Sequence, residues 1–527
     1  MKLRHLLFGL LAGVAFVACT NDNEPAGVTP VNGDEVGTTK YMAINFVMPG
    51  DATTRAWNND FEAATGNEIT VADAMILFFD GEGQVADPFT TGFTDGWETV
   101  AGKAESVDKK HAAVIVLKNA IKDPTSIVAV LNSTANQLGI TRATTMTQLK
   151  EMTADFRKDT PEKFAMINSV YVNGNDVQFA VPATGKTKDS ETAALGDPVK
   201  IAVEKVVAKV TLTNTSNDTA TETQTADKKA ITVTVDGWWL DSTNPQSYLV
   251  KSLATSYDVL GTWTGWNDAK NFRSYWANAL AMTAPEHFVY SDDAAVKTLD
   301  DPIYAHENTD QAHPTELVVA ATLKVDNAAT PLVKFMSDVY TQADFETVLY
   351  NTIYTQYYTR TGAGTTEDPY VYTSVAPGKF KYTYASNTPS GKVKFEGKDI
   401  ADYEAVVTME YTGSEKLYEY AGAEKTFTPL PFKVQYWAGG KTYYHIPIIH
   451  NDEVTVGTGT AAHPLYGIVR NHLYKVNINS ITGLGTAVPN TDQVIVPVTP
   501  PEDTKTYLAA DIVILKYKVV EQNVDLK

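Results

Sequence analysis

The chain has 527 residues, a single cysteine, and a net charge of −20 from 63 acidic and 43 basic side chains. A chain of this length is expected to form two or three domains, because single hydrophobic cores stop growing near about 250–300 residues. One cysteine cannot form an intrachain disulfide, so packing and strand pairing must supply the stability. The acidic balance argues against nucleic acid as a partner, since phosphate binding requires a basic surface.

The N-terminus has the layout of a bacterial lipoprotein signal peptide. Lys2 and Arg4 precede the apolar run Leu6–Ala18, which is too short for a transmembrane helix of about 20 residues. Small residues precede Cys19, which lies where the lipid-accepting thiol is expected. The alternative is an incidental cysteine in a secreted protein without lipid. The polar segment Thr20–Thr39 is predicted to be a flexible tether.

Period-two alternation rich in Val, Ile, Thr and Tyr dominates the rest of the chain and predicts antiparallel sheets. One helix is predicted at Thr144–Lys158, with Thr144 as N-cap and an apolar face of Met146, Leu149, Met152 and Phe156. The clearest predicted strands are Ala74–Asp80 with a turn at Gly81, His111–Leu117, Ser126–Leu131, Ile201–Asn214, Ile231–Trp239, Glu316–Val325, Tyr403–Tyr411 and His472–Ile481.

Two further strands are notable for their positions. The first, Lys40–Met48, is followed at once by a polar loop that contains Arg55. One of its faces carries Met42, Ile44, Phe46 and Met48. The second is the C-terminal tail, Tyr507–Lys527, which follows a proline-containing linker, Thr486–Thr506. An apolar strand without a partner is an aggregation hazard, so the tail is expected to pair with another strand. Its apolar positions are Leu508, Ala510, Ile512, Ile514, Val520, Val524 and Leu526.

Five features follow one another in a recognisable order. They are the lipoprotein signal, an arginine after the first strand, the strand and turn Ala74–Gly83, the segment Arg470–Asn479, and the segment Lys505–Ile512. Together they resemble the Bacteroidales fimbrillins, the FimA/Mfa-type subunits of type V pili, and look closest to the Mfa-type shaft subunit of short fimbriae. The resemblance covers most of the chain and is weakest over residues 241–300 and 345–386.

The resemblance implies a mainly β fold with two β-sandwich, transthyretin-like domains, few helices and a C-terminal donor strand. Residues 1–19 would be the signal peptide, 20–55 a propeptide with the first strand, 56–205 and 206–485 the N-terminal and C-terminal domains, and 486–527 the linker and donor strand. The residues themselves favour a domain boundary near Val203–Asn214, after the polar stretch Gly185–Asp197.

The resemblance also implies a mechanism of assembly. A precursor held at the outer membrane by its lipid is cut by an arginine-specific protease, here between Arg55 and Ala56, and the first strand leaves. The donor strand of another subunit then fills the groove by β-augmentation. The partners would be further copies of the chain and the anchor and tip subunits of a fimbrium on the cell surface, which supports adhesion and colonisation.

Other functions have weaker support in the sequence. No G-x-S-x-G, H-E-x-x-H or P-loop motif is present, so we expect neither an enzyme nor a cofactor. Four histidines, His445, His450, His463 and His472, lack a familiar metal-ligand spacing. The alternative function is a non-polymerising surface lipoprotein or a tip or accessory adhesin that binds glycan or protein through aromatic loops. Core or interdomain packing is the preferred role of the aromatic residues Trp263, Trp266, Trp276, Tyr354, Tyr357, Tyr358, Tyr370 and Tyr372.

Overall fold

The computed structural model describes residues 40–47, 66–92, 98–99, 109–117, 120–132, 138–157, 163–173, 176–214, 220–253, 277–281, 298–299, 301–386, 404–459, 462–488 and 518–526. These segments are mainly β, which confirms the fold class predicted from the sequence. Their buried apolar residues group into three clusters. Among the described residues, no helix is both long and apolar enough to cross a membrane.

A ten-stranded mixed sheet surrounds the first cluster. Its strand β2 is buried without a break from Ala74 to Phe79, as expected for a strand that is covered on both faces. In spatial order the strands are β3 (Gly83–Gln84), β2 (Asp73–Asp80), β7 (Ser126–Leu131), β9 (Met166–Asn168), β13 (Val199–Lys205), β1 (Lys40–Val47), β6 (Lys109–Leu117) and β5 (Glu98–Thr99), with β4 (Phe89–Gly92) on β2 and β12 (Val181–Pro182) on β7.

Two sheets contribute to the second cluster. Val210 and Val476 of one sheet share this cluster with Val233 and Val319 of the other, as the inner faces of a β-sandwich do. The first sheet is β18 (Ile303–Ala305), β14 (Ala208–Asn214), β33 (His472–Ile481) and β35 (Lys518–Leu526). The second is β15 (Ala220–Gln224), β16 (Ala230–Asp241), β19 (Glu316–Val325), β30 (Lys441–Pro447) and β34 (Thr486–Ala487), with β20 (Ala328–Ala329) on β19.

A helix and a five-stranded sheet form the third cluster. The helix Gln342–Ile353 buries Phe345, Leu349 and Ile353, which recur every four residues and therefore share one face. Thr341 caps it by accepting a hydrogen bond from the Asp344 N–H at 3.2 Å. The sheet is β22 (Asp338–Thr341), β21 (Leu332–Phe335), β29 (Leu430–Trp437), β26 (Glu404–Tyr411) and β25 (Phe380–Ser386). A neighbouring sheet is β24 (Val371–Ser374), β23 (Tyr358–Thr361), β27 (Leu417–Tyr418) and β28 (Glu424–Lys425).

The remaining elements are short. Three antiparallel strand pairs are β8 (Thr153–Ala154) with β17 (Ser247–Tyr248), β10 (Tyr171–Asn173) with β11 (Asp176–Gln178), and β31 (Ile449–Val456) with β32 (His463–Tyr466). The α-helices of the described segments are α1 (Met146–Glu151), α2 (Glu191–Leu195) and α3, the helix Gln342–Ile353 already described. Single turns of 3₁₀ helix lie at Gly66–Ile69, Pro377–Lys379 and Ala438–Gly440.

The predicted helix Thr144–Lys158 is wrong in its extent. Only Met146–Glu151 is helical, and the N-cap is Thr145, whose side chain accepts from the Gln148 N–H in a capping box. The chain leaves the helix at Met152, because Thr153 and Ala154 pair with Tyr248 and Ser247 as strand β8. A tertiary strand pairing therefore overrides the helical spacing of the apolar residues.

The predicted continuous strand Ile201–Asn214 is also wrong, because the chain breaks it at Val206 and Val207. The Val206 N–H donates to the Ala165 carbonyl at 3.0 Å, and the Val207 carbonyl accepts from the Asn471 N–H at 3.0 Å. The half before the break, β13, belongs to the ten-stranded sheet. The half after it, β14, lies between β18 and β33 in a sheet of the second cluster. One apolar run thus serves two sheets. The boundaries of the domains stay a prediction.

Candidate functional site

Strand β1 lies in the interior of the first sheet, between β6 and β13. It is antiparallel to β6 from Lys40, opposite Leu117, to Val47, opposite Lys110. Its second half runs parallel to β13. Its first half is held on the same side by Lys188, whose N–H donates to the Tyr41 carbonyl at 2.8 Å and whose carbonyl accepts from the Tyr41 N–H at 2.8 Å. The strand is therefore paired along both of its edges.

Apolar packing also holds β1 in place. Met42 is fully buried and belongs to the first cluster, together with Ile115 of β6 and Ile201 of β13. Ala43 is buried as well, and helix α2 lies against the strand. Burying one Met side chain contributes about 1.5–3 kcal/mol. Taking β1 out of the sheet would leave an apolar slot between β6 and β13, which we call the β1 groove.

The strand predicted at Lys40–Met48 is confirmed over Lys40–Val47, and it includes Met42, Ile44 and Phe46. Four other residues named for this end of the chain lie outside the described residues. They are Cys19, Met48, Arg55 and Ala56. Their roles stay predictions.

The end of the C-terminal tail forms the edge strand β35. It runs parallel to β33, from Lys518 opposite His472 to Leu526 opposite Ile481, with one shift of register. Val520 and Val524 lie on this strand, opposite Tyr474 and Ile478. The other apolar positions of the tail, Leu508, Ala510, Ile512 and Ile514, are outside the described residues. Within one chain, the last part of the tail therefore covers an edge that would otherwise expose unpaired backbone groups.

The first residue of the segment Arg470–Asn479 forms a buried ion pair with Glu307. Arg470 has no exposed surface, and its Nη2 donates to Glu307 Oε2 at 2.8 Å. The same nitrogen donates to the Tyr248 carbonyl at 2.6 Å, and Nη1 donates to the Leu249 carbonyl at 2.7 Å. Leu249 belongs to the first cluster, whereas β33 belongs to the second. Arg470 therefore fastens the start of β33 to a segment that packs on the first cluster, a role that the sequence pattern does not reveal.

The four histidines considered as metal ligands lie in different environments. His445 Nδ1 is 3.0 Å from Glu316 Oε2, and burial raises the pKa of this carboxyl. The rings of His450 and His472 have centroids 5.2 Å apart, and His463 lies on β32. Among the described residues, no three His, Cys, Asp or Glu side chains come together as a metal ligand set would.

The tyrosines predicted to pack in a core differ in exposure, and Tyr358 and Tyr372 are half-buried. Tyr357 is buried and packs on Phe427, with ring centroids 5.1 Å apart, as core packing requires. In contrast, Tyr354 and Tyr370 are each 43% exposed. Core packing is therefore the role of Tyr357 and does not explain these two. Trp263, Trp266 and Trp276 lie outside the described residues.

The C-terminal part of the chain matches a known protein family. Residues 435–523 match the family described as major fimbrial subunit protein type IV, fimbrillin, C-terminal. The resemblance to fimbrillins is thereby confirmed. The matched region extends from β29 through Arg470 and β33 into β35, so it contains the ion pair's arginine and the edge that β35 covers. The match is to a family of fimbrial subunits, and it covers about one sixth of the chain.

Solved structures of low sequence identity are also similar to the chain. A candidate cell adhesion protein from Parabacteroides distasonis is 11% identical, with a TM-score of 0.35, over 93% of this chain and 100% of that one. A fimbrial assembly protein from Parabacteroides distasonis is 11% identical, with a TM-score of 0.28, over 57% and 85%. The tip fimbrial protein Mfa3 from Porphyromonas gingivalis is 12% identical, with a TM-score of 0.25, over 57% and 80%. No curated protein sequence matches the chain.

Proposed function

We propose that this fimbrillin is the shaft subunit of a surface fibre and polymerises by strand exchange after proteolysis. The precursor carries a lipid on Cys19 and reaches the outer membrane. An arginine-specific protease cuts between Arg55 and Ala56, and β1 leaves the sheet. Part of the C-terminal tail of another copy, Tyr507–Lys527, then fills the β1 groove. Anchor and tip subunits are the further partners of the same fibre.

The observation that carries this proposal is the interior position of β1. An edge strand that leaves a sheet breaks one row of backbone hydrogen bonds. β1 would break two rows, because it is paired with β6 on one side and with Lys188 and β13 on the other. Its departure would leave unpaired N–H and C=O groups on both walls of the groove. Buried backbone groups without partners each cost about 1–3 kcal/mol. An empty groove would therefore bind a replacement strand strongly.

The groove also sets the direction of the replacement. A strand that restores the same hydrogen bonds must run antiparallel to β6 and parallel to β13, as β1 does. Its side chains alternate between the two faces, and every second one has to fill the space that Met42 occupies beside Ile115. The period-two apolar positions from Leu508 to Ile514 meet this requirement.

A reversible crosslink tests whether β1 has to leave. Ala43 and Val114 lie opposite each other in the ladder between β1 and β6. Opposed residues of antiparallel strands have Cα atoms about 4.5–5.5 Å apart, a separation that a disulfide can span. The double variant Ala43→Cys/Val114→Cys would therefore fasten β1 to the sheet. Under oxidising conditions, we expect cells that make this variant to form no fibres and to show no ladder of detergent-resistant oligomers on unheated gels. Adding a reductant should restore both.

A matched control separates this effect from the chemistry of disulfides. Thr234 and Thr322 are opposed on β16 and β19, which stay paired in the proposed mechanism. Their double cysteine variant should form fibres under oxidising and reducing conditions alike. Mass spectrometry should verify both crosslinks. Normal fibres from chains in which Ala43→Cys and Val114→Cys are demonstrably joined would refute strand exchange at the β1 groove.

A further inference from the structure

A group of mostly accessible aromatic side chains beside the third cluster has no part in strand exchange. It lies on the small sheet of β24, β23, β27 and β28 and the turns beside it. Tyr420 is 71% exposed, and Tyr370 is 43% exposed. We call the group the tyrosine platform; its members are Tyr358, Arg360, Tyr370, Tyr372, Tyr418 and Tyr420.

The register of the sheet places these residues on one face. Arg360 is opposite Tyr372, and Tyr358 is opposite Tyr418. Tyr358 and Arg360 are two residues apart on β23 and therefore point the same way. Tyr420 packs beside this face, with its ring centroid 5.2 Å from that of Tyr358 and 5.8 Å from that of Tyr372. Tyr418 is buried, so the platform combines four accessible tyrosine rings with one cation.

Arg360 lies between two aromatic rings. Its guanidinium carbon is 4.0 Å from the centroid of Tyr370 and 4.0 Å from that of Tyr418. The guanidinium contacts both rings in a cation–π arrangement, which restricts the orientation of the side chain. The N–H groups of a guanidinium point outward in its own plane. Tyr372 accepts from Arg360 there, and the other N–H groups of the fork are the route for a further acceptor.

The charge of Arg360 is not balanced by a neighbouring carboxylate. Among the described residues, no Asp or Glu forms an ion pair with it. Of the nearby lysines, Lys416 is 2.7 Å from Glu424. Lys425 is opposite Leu417 of the third cluster and lies 4.4 Å from the ring centroid of Tyr357, so it is on the other face of the sheet. The platform therefore offers one accessible positive group, and the acceptor that complements it is a single carboxylate.

The loop before β24 fixes the position of Tyr370, one of the two rings that contact the guanidinium of Arg360. Gly364 has a φ of +79°, and a Cβ atom there would lie 2.4 Å from the Tyr370 ring. The Asp368 carbonyl accepts from the N–H of Gly364 at 2.9 Å, and its carboxylate accepts from the N–H of Ala363 at 2.8 Å. This bonding keeps Tyr370 over Arg360 without a ligand. A preorganised group loses less entropy on binding than a mobile one.

The size of the platform limits what it can bind. A tyrosine side chain presents on the order of 200 Å² when fully exposed, so the exposed parts of the platform sum to about 300 Å². A stable protein partner covers about 800 Å² on each side. The smaller area matches one or two sugar rings, whose C–H faces stack on aromatic rings while their hydroxyl groups stay in water.

We propose that the tyrosine platform binds the terminal carboxylated sugar of a glycan chain, a sugar of the sialic acid type. The sugar ring stacks on Tyr420 and Tyr372, and its carboxylate accepts hydrogen bonds from the edge of Arg360. A polymer with a carboxylate on every sugar fits less well, because one cation is available and the chain carries a net charge of −20. This proposal does not depend on polymerisation.

The test measures binding of 3′-sialyllactose and of lactose to the purified chain by calorimetry. We expect sialyllactose to bind at least roughly 10-fold more tightly than lactose, since only the first has a carboxylate for Arg360. Arg360→Gln should weaken sialyllactose binding by roughly 10-fold or more and leave lactose unaffected. Tyr420→Ala removes an exposed ring that is not needed for the fold, and it should weaken binding of the sialylated sugar by roughly 5-fold.

Two control variants make the result specific. Tyr354 is as exposed as Tyr370 but lies at the end of α3, outside the platform, and Lys379 forms an exposed ion pair with Glu415. Tyr354→Ala and Lys379→Gln should bind sialyllactose as the unaltered chain does. Equal affinity for lactose, unchanged affinity in both platform variants, or no binding at millimolar sialyllactose would overturn the proposal. If Arg360→Gln instead alters fibre formation and not sugar binding, the platform contacts another copy of the chain and the proposal is wrong.

Discussion

Replacing Arg470 with methionine would remove the buried guanidinium and keep most of the side-chain volume. The substitution leaves Glu307, which is 1% exposed, with a carboxylate that has lost the charge opposite it. It also removes the donors from the carbonyls of Tyr248 and Leu249. We expect this variant to be strongly destabilised because an uncompensated buried charge is costly.

The magnitude follows from the contacts. Removing one partner of a buried pair costs about 3–5 kcal/mol, whereas whole domains are stable by about 5–15 kcal/mol. Urea unfolding monitored by tryptophan fluorescence should show this loss. Amide hydrogen exchange should accelerate first at residues 247–249 and at the start of β33, because Arg470 joins these two places.

A double-mutant cycle identifies the buried charge as the cause. The double variant Arg470→Met/Glu307→Met removes both charges of the pair together, so it should be more stable than Arg470→Met alone. The coupling energy between the two positions should exceed about 1 kcal/mol. A loss below about 1 kcal/mol in Arg470→Met, or strictly additive effects in the cycle, would refute the reasoning.

Three further outcomes can be checked. Burial lowers the pKa of His306 to about 4, so between pH 6.5 and 4 the unfolded chain binds a proton that the folded chain excludes. The free energy of unfolding should therefore fall by about 3 kcal/mol at most as the pH is lowered over this range. His306→Asn should flatten this pH dependence in urea unfolding. Asn168→Leu should cost about 2–4 kcal/mol in the same assay, because the buried amide accepts from the Ala129 N–H at 2.8 Å and donates to the Ile127 carbonyl at 3.1 Å. Cys19→Ala should abolish incorporation of labelled fatty acid, and a label that survives would contradict lipidation at this residue.

Three of the strands could be predicted to the residue. Ser126–Leu131, Glu316–Val325 and His472–Ile481 begin and end where the sequence pattern places them. In each of them apolar, often β-branched residues dominate, and a turn signal or charged residue lies next to an end. Local preference and tertiary pairing agree at these positions, so the sequence alone suffices.

Prediction failed where distant partners decide the local structure. Thr153 follows a helical pattern but pairs with Tyr248, which is far away in the sequence. The break at Val206 depends on the Ala165 carbonyl, and no glycine or proline marks it. Helix α3 was not predicted at all, since Tyr350 and the neighbouring aromatic and β-branched residues have modest helix propensity. Packing against the sheet of the third cluster stabilises this helix.

The candidate site was accessible to sequence analysis in part. The alternation of Met42, Ile44 and Phe46 identifies β1 as a strand, but nothing local indicates that β6 and β13 enclose it, because these strands follow much later in the chain. The tyrosine platform was missed as a unit for the same reason. Tyr418 and Tyr420 reach it from another part of the sequence, and only the register of β23 with β27 brings them beside Arg360.

The lengths of β1 and of the tail constrain how strand exchange would work. β1 has eight residues and spans about 26 Å, whereas Leu508–Leu526 spans about 60 Å when extended. The β1 groove can therefore take only one part of a donated tail. Leu508–Ile514 has the period-two apolar pattern of β1, and Lys518–Leu526 already pairs with β33. If the first part fills the groove of a neighbour, the second part can stay on β33 and keep that edge covered, so a donated tail need not leave an unpaired edge behind.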